Sequence, residues 1–229
     1  MKKVKEILNH IFIDGLSGMA LGLFATLIVG TIITQAGSLI GGITGHYLVI
    51  FGKLAQALTG AGIGVGVAYK YKESPLVTIS AAVAGLVGAF ASKIIAGTVL
   101  VDGVITLAGP GEPLGAFIAA FVAVTCGHII SGKTKIDILI TPVTTILTGS
   151  IVGIIVGPPI SEFMIKLGEL INWGTAQQPL LMGIIVSVLM GMILTLPISS
   201  AALGIILNLS GIAAGAATIG CCCNMVGFA

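Results

Sequence analysis

Apolar runs of about twenty residues recur along almost the whole of this chain, and that is the length a helix needs to cross a bilayer. They fall at residues 16–33, 47–67, 76–100, 114–130, 138–156, 180–196 and 201–217. Only 8% of the 229 residues are charged and 56% are hydrophobic, with a mean hydropathy of +1.18. Such a composition belongs to a polytopic membrane protein. The expected fold class is all-α, a transmembrane helical bundle. The 34 glycines let helix backbones approach closely, so broken or re-entrant segments are expected within it.

Ten lysines face eight acids and no arginine is present. No basic cluster exceeds the three lysines Lys2, Lys3 and Lys5, which argues against a nucleic-acid partner. Those lysines precede Ile7, Leu8, Ile11 and Phe12 at helical spacing, an interfacial helix rather than a cleaved leader. Lysines near span ends set orientation. They put the N-terminus, the Lys70–Lys72 turn and the Lys133–Lys135 turn in the cytoplasm. The 158–179 connection then falls outside, with Lys166 outweighed by Glu162 and Glu169. Within it Ile160, Phe163, Met164, Leu167, Leu170 and Ile171 follow helical spacing, which predicts an amphipathic connector along the membrane surface.

Five spans precede that connector, so the next enters from the opposite side. An odd repeat inverted in the membrane is a common construction of secondary transporters. Residues 1–157 are read as the first repeat, and 180–229 as the start of a second, incomplete one. The chain is therefore expected to be a fragment, or a short form, of a longer two-repeat protein.

One segment breaks the apolar pattern with a charge: Gly109-Pro110-Gly111-Glu112-Pro113. Proline removes amide donors and glycine allows unusual dihedrals, so this is not an ordinary helix. Irregular backbone at membrane depth survives only where it is buried in protein or lines a watery cavity. Glu112, flanked by Gly111 and Pro113, is the first candidate for binding a ligand. Lys93 is the second: Ala81, Gly85, Ala89, Lys93 and Gly97 fall four apart, a small-residue ridge that would turn the ammonium into protein. His46 lies in a glycine-rich approach to the second span, and His128 ends the fourth. Thr141, Thr144, Thr145 and Thr148 stripe the fifth span; they can bond a polyol or the carbonyls one turn back. Gly60, Gly62, Gly64 and Gly66 alternate, a sign of close packing or of a break. Cys221, Cys222 and Cys223 read as small packed residues, with redox or acylation roles as the alternative. No nucleophile–base pair, phosphate loop or metal motif has a recognisable spacing, so no catalytic residue, metal site or cofactor is expected.

The Gly-Pro-Gly-Glu112-Pro113-Leu segment resembles the Glu-Pro motif in the membrane (IIC) component of sugar phosphotransferase systems. The stretch from Ile11 to Ala25 is similar to a IIC-like subgroup that includes membrane proteins read as regulators of perfringolysin-type toxin genes. The resemblance implies a sugar or polyol permease of the cytoplasmic membrane, with Glu112 contacting sugar hydroxyls and His46 matching a site histidine. It also implies a homodimer in the lipid bilayer and a separate IIB phosphocarrier protein as partner. Two other readings fit the same residues. One is a membrane sensor or regulator that keeps the fold without transport; the other is a channel or ion-coupled transporter pairing Lys93 with Glu112.

Overall fold

A computed structural model describes residues 10–101, 103–107, 109–194, 204, 207 and 209–228. The lysine-rich interfacial helix expected at the N-terminus lies mostly outside these residues. The described chain is almost wholly helical, as its composition requires, and apolar side chains such as Leu39, Ile43, Ile151 and Ile155 face outward. Among the described residues, three helices are long and apolar enough to cross a membrane, or four if one bent pair counts as a span. The chain therefore forms an all-α bundle of membrane helices. Two compact units divide it, Met1–Pro158 and Pro159–Ala229.

The first unit opens with α1, Ile13–Ile40, which turns π-helical at Phe24–Ile28. Gly41 and Gly42 then take φ values of +65° and +63°. Side chains rarely adopt that conformation, and two such residues together reverse the chain at once. The returning strand of helix is α2, Gly42–Ala57, bent by 54° at Leu58 into α3, Thr59–Lys70. Glycine meets backbone all along this hairpin: a Cβ at Gly22 would fall on the Gly62 carbonyl, and one at Gly30 would lie 2.8 Å from the Gly52 carbonyl oxygen. Between those two crossings α1 advances eight residues while α2–α3 takes ten, and the π-helical stretch and the bend lie within that interval.

The alternating glycines of α3 mark no break. They divide between two faces: Gly62 and Gly66 lie against α1, while Gly60 and Gly64 lie against α4, Pro75–Ala89. A two-residue offset turns about 200° around a helix, so a glycine at every second position lets one helix press backbone-close on opposite neighbours.

Ser74 caps α4 and Pro75 opens it, as a helix start prefers. The sequence predicts a span over residues 76–100, but α4 stops at Ala89, where Phe90 adopts φ −106° and ψ 13°. A short helix α5, Ala91–Ile95, follows. After it comes a hairpin of β1, Leu100–Val101, and β2, Val104–Ile105, pairing Leu100 with Ile105. The chain re-enters as α6, Pro113–Ile130. At 15 residues α4 rises only about 22 Å, short of a hydrocarbon core of roughly 30 Å.

Next comes α7, Asp137–Gln177. The structure carries helix through Pro158 and Pro159, where the sequence predicts a separate connector. The two prolines remove the amide donors that Ile154 and Ile155 would otherwise meet. On the first-unit part of α7 every fourth residue from Thr141 through Thr145, Gly149 and Gly153 to Gly157 is buried. Gly149 and Gly153 lie against Ala119 of α6.

In the second unit, α8 is Pro179–Leu194 and α9 is Gly211–Phe228. The sequence predicts the last span ten residues earlier, over 201–217, of which residues 204, 207 and 209–217 are described, with α9 beginning at Gly211. Gly220 of α9 meets Ser187, and Gly191 of α8 lies near Asn224. Later residues of one helix thus face later residues of the other, so the pair runs in the same direction. Val186, Met190 and Ala217 form their core, with Cys221 packed against it.

Candidate functional site

The segment before α6 is held by its own main chain. Gly111 has φ +72°, and a Cβ there would lie 2.7 Å from the Ala89 carbonyl oxygen. That carbonyl, an orphan at the end of α4, accepts the Glu112 amide at 2.7 Å. Pro113 then starts α6 where a missing amide costs nothing. The break thus joins the last turn of one helix to the first turn of the next through a single hydrogen bond.

Glu112 is the N-cap of α6. Its Oε2 accepts the Gly115 amide at 2.5 Å. Its Oε1 is buried and meets no donor among the described residues. Leaving a buried acceptor unmet costs about 1–3 kcal/mol, and more when it is charged. The surroundings are mostly backbone: a Cβ at Gly115 would lie 2.9 Å from the Gly88 carbonyl and 3.5 Å from Cα of Gly157. Small residues from α4, α6 and α7 therefore close around this carboxylate, with one oxygen fixed and the other open to a donor.

The other predicted site residues stand on different elements. His46 is exposed on α2, beside the Gly41–Gly42 turn, with its ring 6.3 Å from that of Tyr47. That helix packs on the second half of α1. Lys93 is exposed on α5, with its ammonium 5.4 Å from the Phe90 ring centroid. The ridge of Ala81, Gly85 and Ala89 is buried as its spacing predicts, but the helix break at Phe90 takes Lys93 off it. Three of the four threonines of α7 bond within one turn: Thr144 and Thr148 donate to backbone carbonyls, and Thr141 donates to Asp137 Oδ1 at 2.6 Å. Thr145 Oγ1 is buried against Gly127 and has no partner among the described residues.

A second polar cluster lies at the opposite end of α4 and α6, and spacing alone does not disclose it. His128 Nδ1 sits 2.9 Å from Glu73 Oε1. Beside this pair the Ser74 and Ser131 hydroxyls are 2.9 Å apart. Gly132 donates its amide to Asp137 Oδ1 at 2.9 Å. These contacts tie the turn before α4 to the turn after α6. The only sequence hint was that each turn carries two lysines.

A family model described as "Phosphotransferase system, EIIC" matches residues 13–229. No curated protein and no solved structure gives a significant match to the chain.

Proposed function

The chain belongs to the phosphotransferase system EIIC family, as a multi-pass membrane component of such a system, and on that premise we propose that it is a permease for a sugar or related polyhydroxy solute, bound at the Glu112 break. The observation that carries the reading is the Glu112 carboxylate, with Oε2 held by the Gly115 amide and Oε1 buried without a donor. A hydroxyl of a polyol supplies that donor, and hydrogen bonds to a charged acceptor are the stronger kind. The carboxylate is already oriented by its own cap, so little ordering is left for the ligand to impose. Gly111 and Pro113 act as its supports, one allowing the tight approach to Ala89 and the other starting the helix.

In this reading the protein lies in the cytoplasmic membrane with the turns bearing Lys70, Lys72, Lys133 and Lys135 inside. A separate IIB phosphocarrier phosphorylates the solute, and two copies assemble as a homodimer. Residues 1–157 form a first repeat and 180–229 belong to a second. A sensor of the same solute would use the same site without transport. The deciding experiment is a thermal-shift screen of purified protein against sugars, polyols and nucleosides, followed by calorimetry on Glu112→Gln. Binding of a polyhydroxy solute that Glu112→Gln weakens supports the site. Normal binding by that variant removes it.

A further inference from the structure

We propose that one side of the hairpin made by α1 and α2 lines a water-filled vestibule within the membrane, with Lys53 as the cation of its wall. The hairpin closes on four glycines: Gly30 and Gly37 of α1 meet Gly52 and Gly45 of α2. Each is followed by a polar residue, giving Thr31, Ser38, His46 and Lys53. One residue turns a helix by about 100°. Because the two helices run antiparallel, the same step from the seam leads on both to the same side of the hairpin. Gln35, one turn after Thr31, joins that side, and Gln56 Nε2 donates to Thr31 Oγ1 across it at 3.2 Å. Thr31, Gln35, Ser38, His46 and Lys53 are all exposed. The step back from each glycine gives Val29, Ala36, Thr44 and Phe51, so the opposite side is apolar apart from one threonine near the turn.

Among the described residues the hairpin packs chiefly on itself and on the stretches that continue it, Phe24–Ile28 and α3. The hydroxyls of Thr31 and Ser38 donate to the Leu27 and Thr34 carbonyls, so what they turn outward is an acceptor. The polar side therefore offers hydroxyl acceptors, two amides and an ammonium. Between Asp14 and Glu73 the chain has no carboxylate to neutralise that ammonium.

Depth decides what can cover this side. From the Lys70 end, the 12 residues of α3 rise about 18 Å, and the helix from Leu58 back to Lys53, tilted by 54°, adds about 4 Å. Lys53 thus stands about as deep as the end of α4, where Glu112 is held. Charged and amide groups at such depth face protein or water, not lipid. Pairing with the same side of a second copy would set lysine against lysine with no acid between them. Water, with anionic or polyhydroxy solutes in it, is the occupant that fits, because an unneutralised cation draws anions and repels cations. The root of the hairpin also lies at the break: Gly60, just past the bend, packs against Ala89, whose carbonyl holds the Glu112 amide. That the vestibule leads to a binding site rests on the Glu112 reading above; the wall itself does not.

The test is cysteine accessibility in proteoliposomes. It uses the full chain with Cys126, Cys221, Cys222 and Cys223 replaced by alanine and a melting temperature matching the wild type. Thr31→Cys, Gln35→Cys and Gln56→Cys probe the polar side; Ile33→Cys, Ala36→Cys and Phe51→Cys probe the other. Methanethiosulfonates attack the thiolate, which forms in water and not in lipid. A charged, membrane-impermeant methanethiosulfonate should modify the first three and fail on the last three. At Gln35→Cys the anionic reagent should gain on the cationic one roughly tenfold, relative to their rates with a free thiol in solution. Adding Lys53→Gln should abolish that preference, and Lys53→Arg should keep it. If the polar-side cysteines do not react, if both sides react alike, or if the preference survives in folded Lys53→Gln, the vestibule does not exist. Calorimetry on Glu112→Gln reads the binding site separately: normal binding there leaves the labelling pattern untouched, and a sealed hairpin leaves the Glu112 result standing.

Discussion

Replacing Glu112 with glutamine removes a charge and keeps the shape, which makes it the cleanest probe of the break. The substituted side chain can still accept from Gly115, so the cap survives. The charged acceptor at Oε1 is lost, and a hydrogen bond to a charged group is worth roughly 1.5–3 kcal/mol. Calorimetry should therefore show affinity for the bound solute falling about ten- to a hundredfold, with little change in melting temperature. Gly111→Ala makes the opposite test. It places a Cβ 2.7 Å from the Ala89 carbonyl and forces φ +72° on a residue that resists it. Strain of this kind costs about 1–3 kcal/mol, so the melting temperature should drop. At the Lys72 turn, burial and then the charge of Asp14 push the Tyr71 hydroxyl up to about 12 from 10.0. The native state holds this proton through the range where the unfolded chain releases it. Stability is therefore full below pH 10 and falls as pH rises toward 12. Melting curves across that range should flatten in Tyr71→Phe. The proline and glycine signature around Glu112 was legible in the sequence because the chemistry of a break is local. The exposure of Lys93 was not, because it follows from where α4 ends, and Phe90-Ala91-Ser92 contains nothing that stops a helix by itself.

Helix against helix, contact in the first unit is made by absent side chains. On α3 a Cβ at Gly64 would fall on the Ala81 carbonyl, whereas one at Gly183 on α8 would meet nothing within 4 Å. Gly64→Leu should therefore destabilise the protein by about 1–3 kcal/mol or more, as overpacking does, and Gly183→Ala should be neutral; thermal melting in detergent compares them. The alternation of Gly60, Gly62, Gly64 and Gly66 was visible in the sequence, but not which of two readings held. Packing and breaking make the same demand on residue type, and only the neighbours α1 and α4 decide between them. Residues 158–159 show the reverse case. Two prolines in a row predict an interruption, yet the structure keeps helix from Asp137 to Gln177.

For the molecule in its membrane, lysine placement predicts that cysteines substituted at Lys72 and Lys133 are labelled from the cytoplasm, and vesicles of known orientation test it. The structure brings those two turns together through Ser74–Ser131, so opposite labelling of the two would contradict both. The short α4 has an electrical consequence. If its first residue starts near the cytoplasmic surface, Glu112 lies about 22 Å into a core of roughly 30 Å. A charge arriving there from the cytoplasm crosses about three-quarters of the membrane voltage, worth roughly 1.7 kcal/mol per 100 mV, or somewhat more than a tenfold change in occupancy. A neutral sugar feels none of it. Binding to proteoliposomes clamped at different potentials should thus be flat for a polyol and steep for an ion.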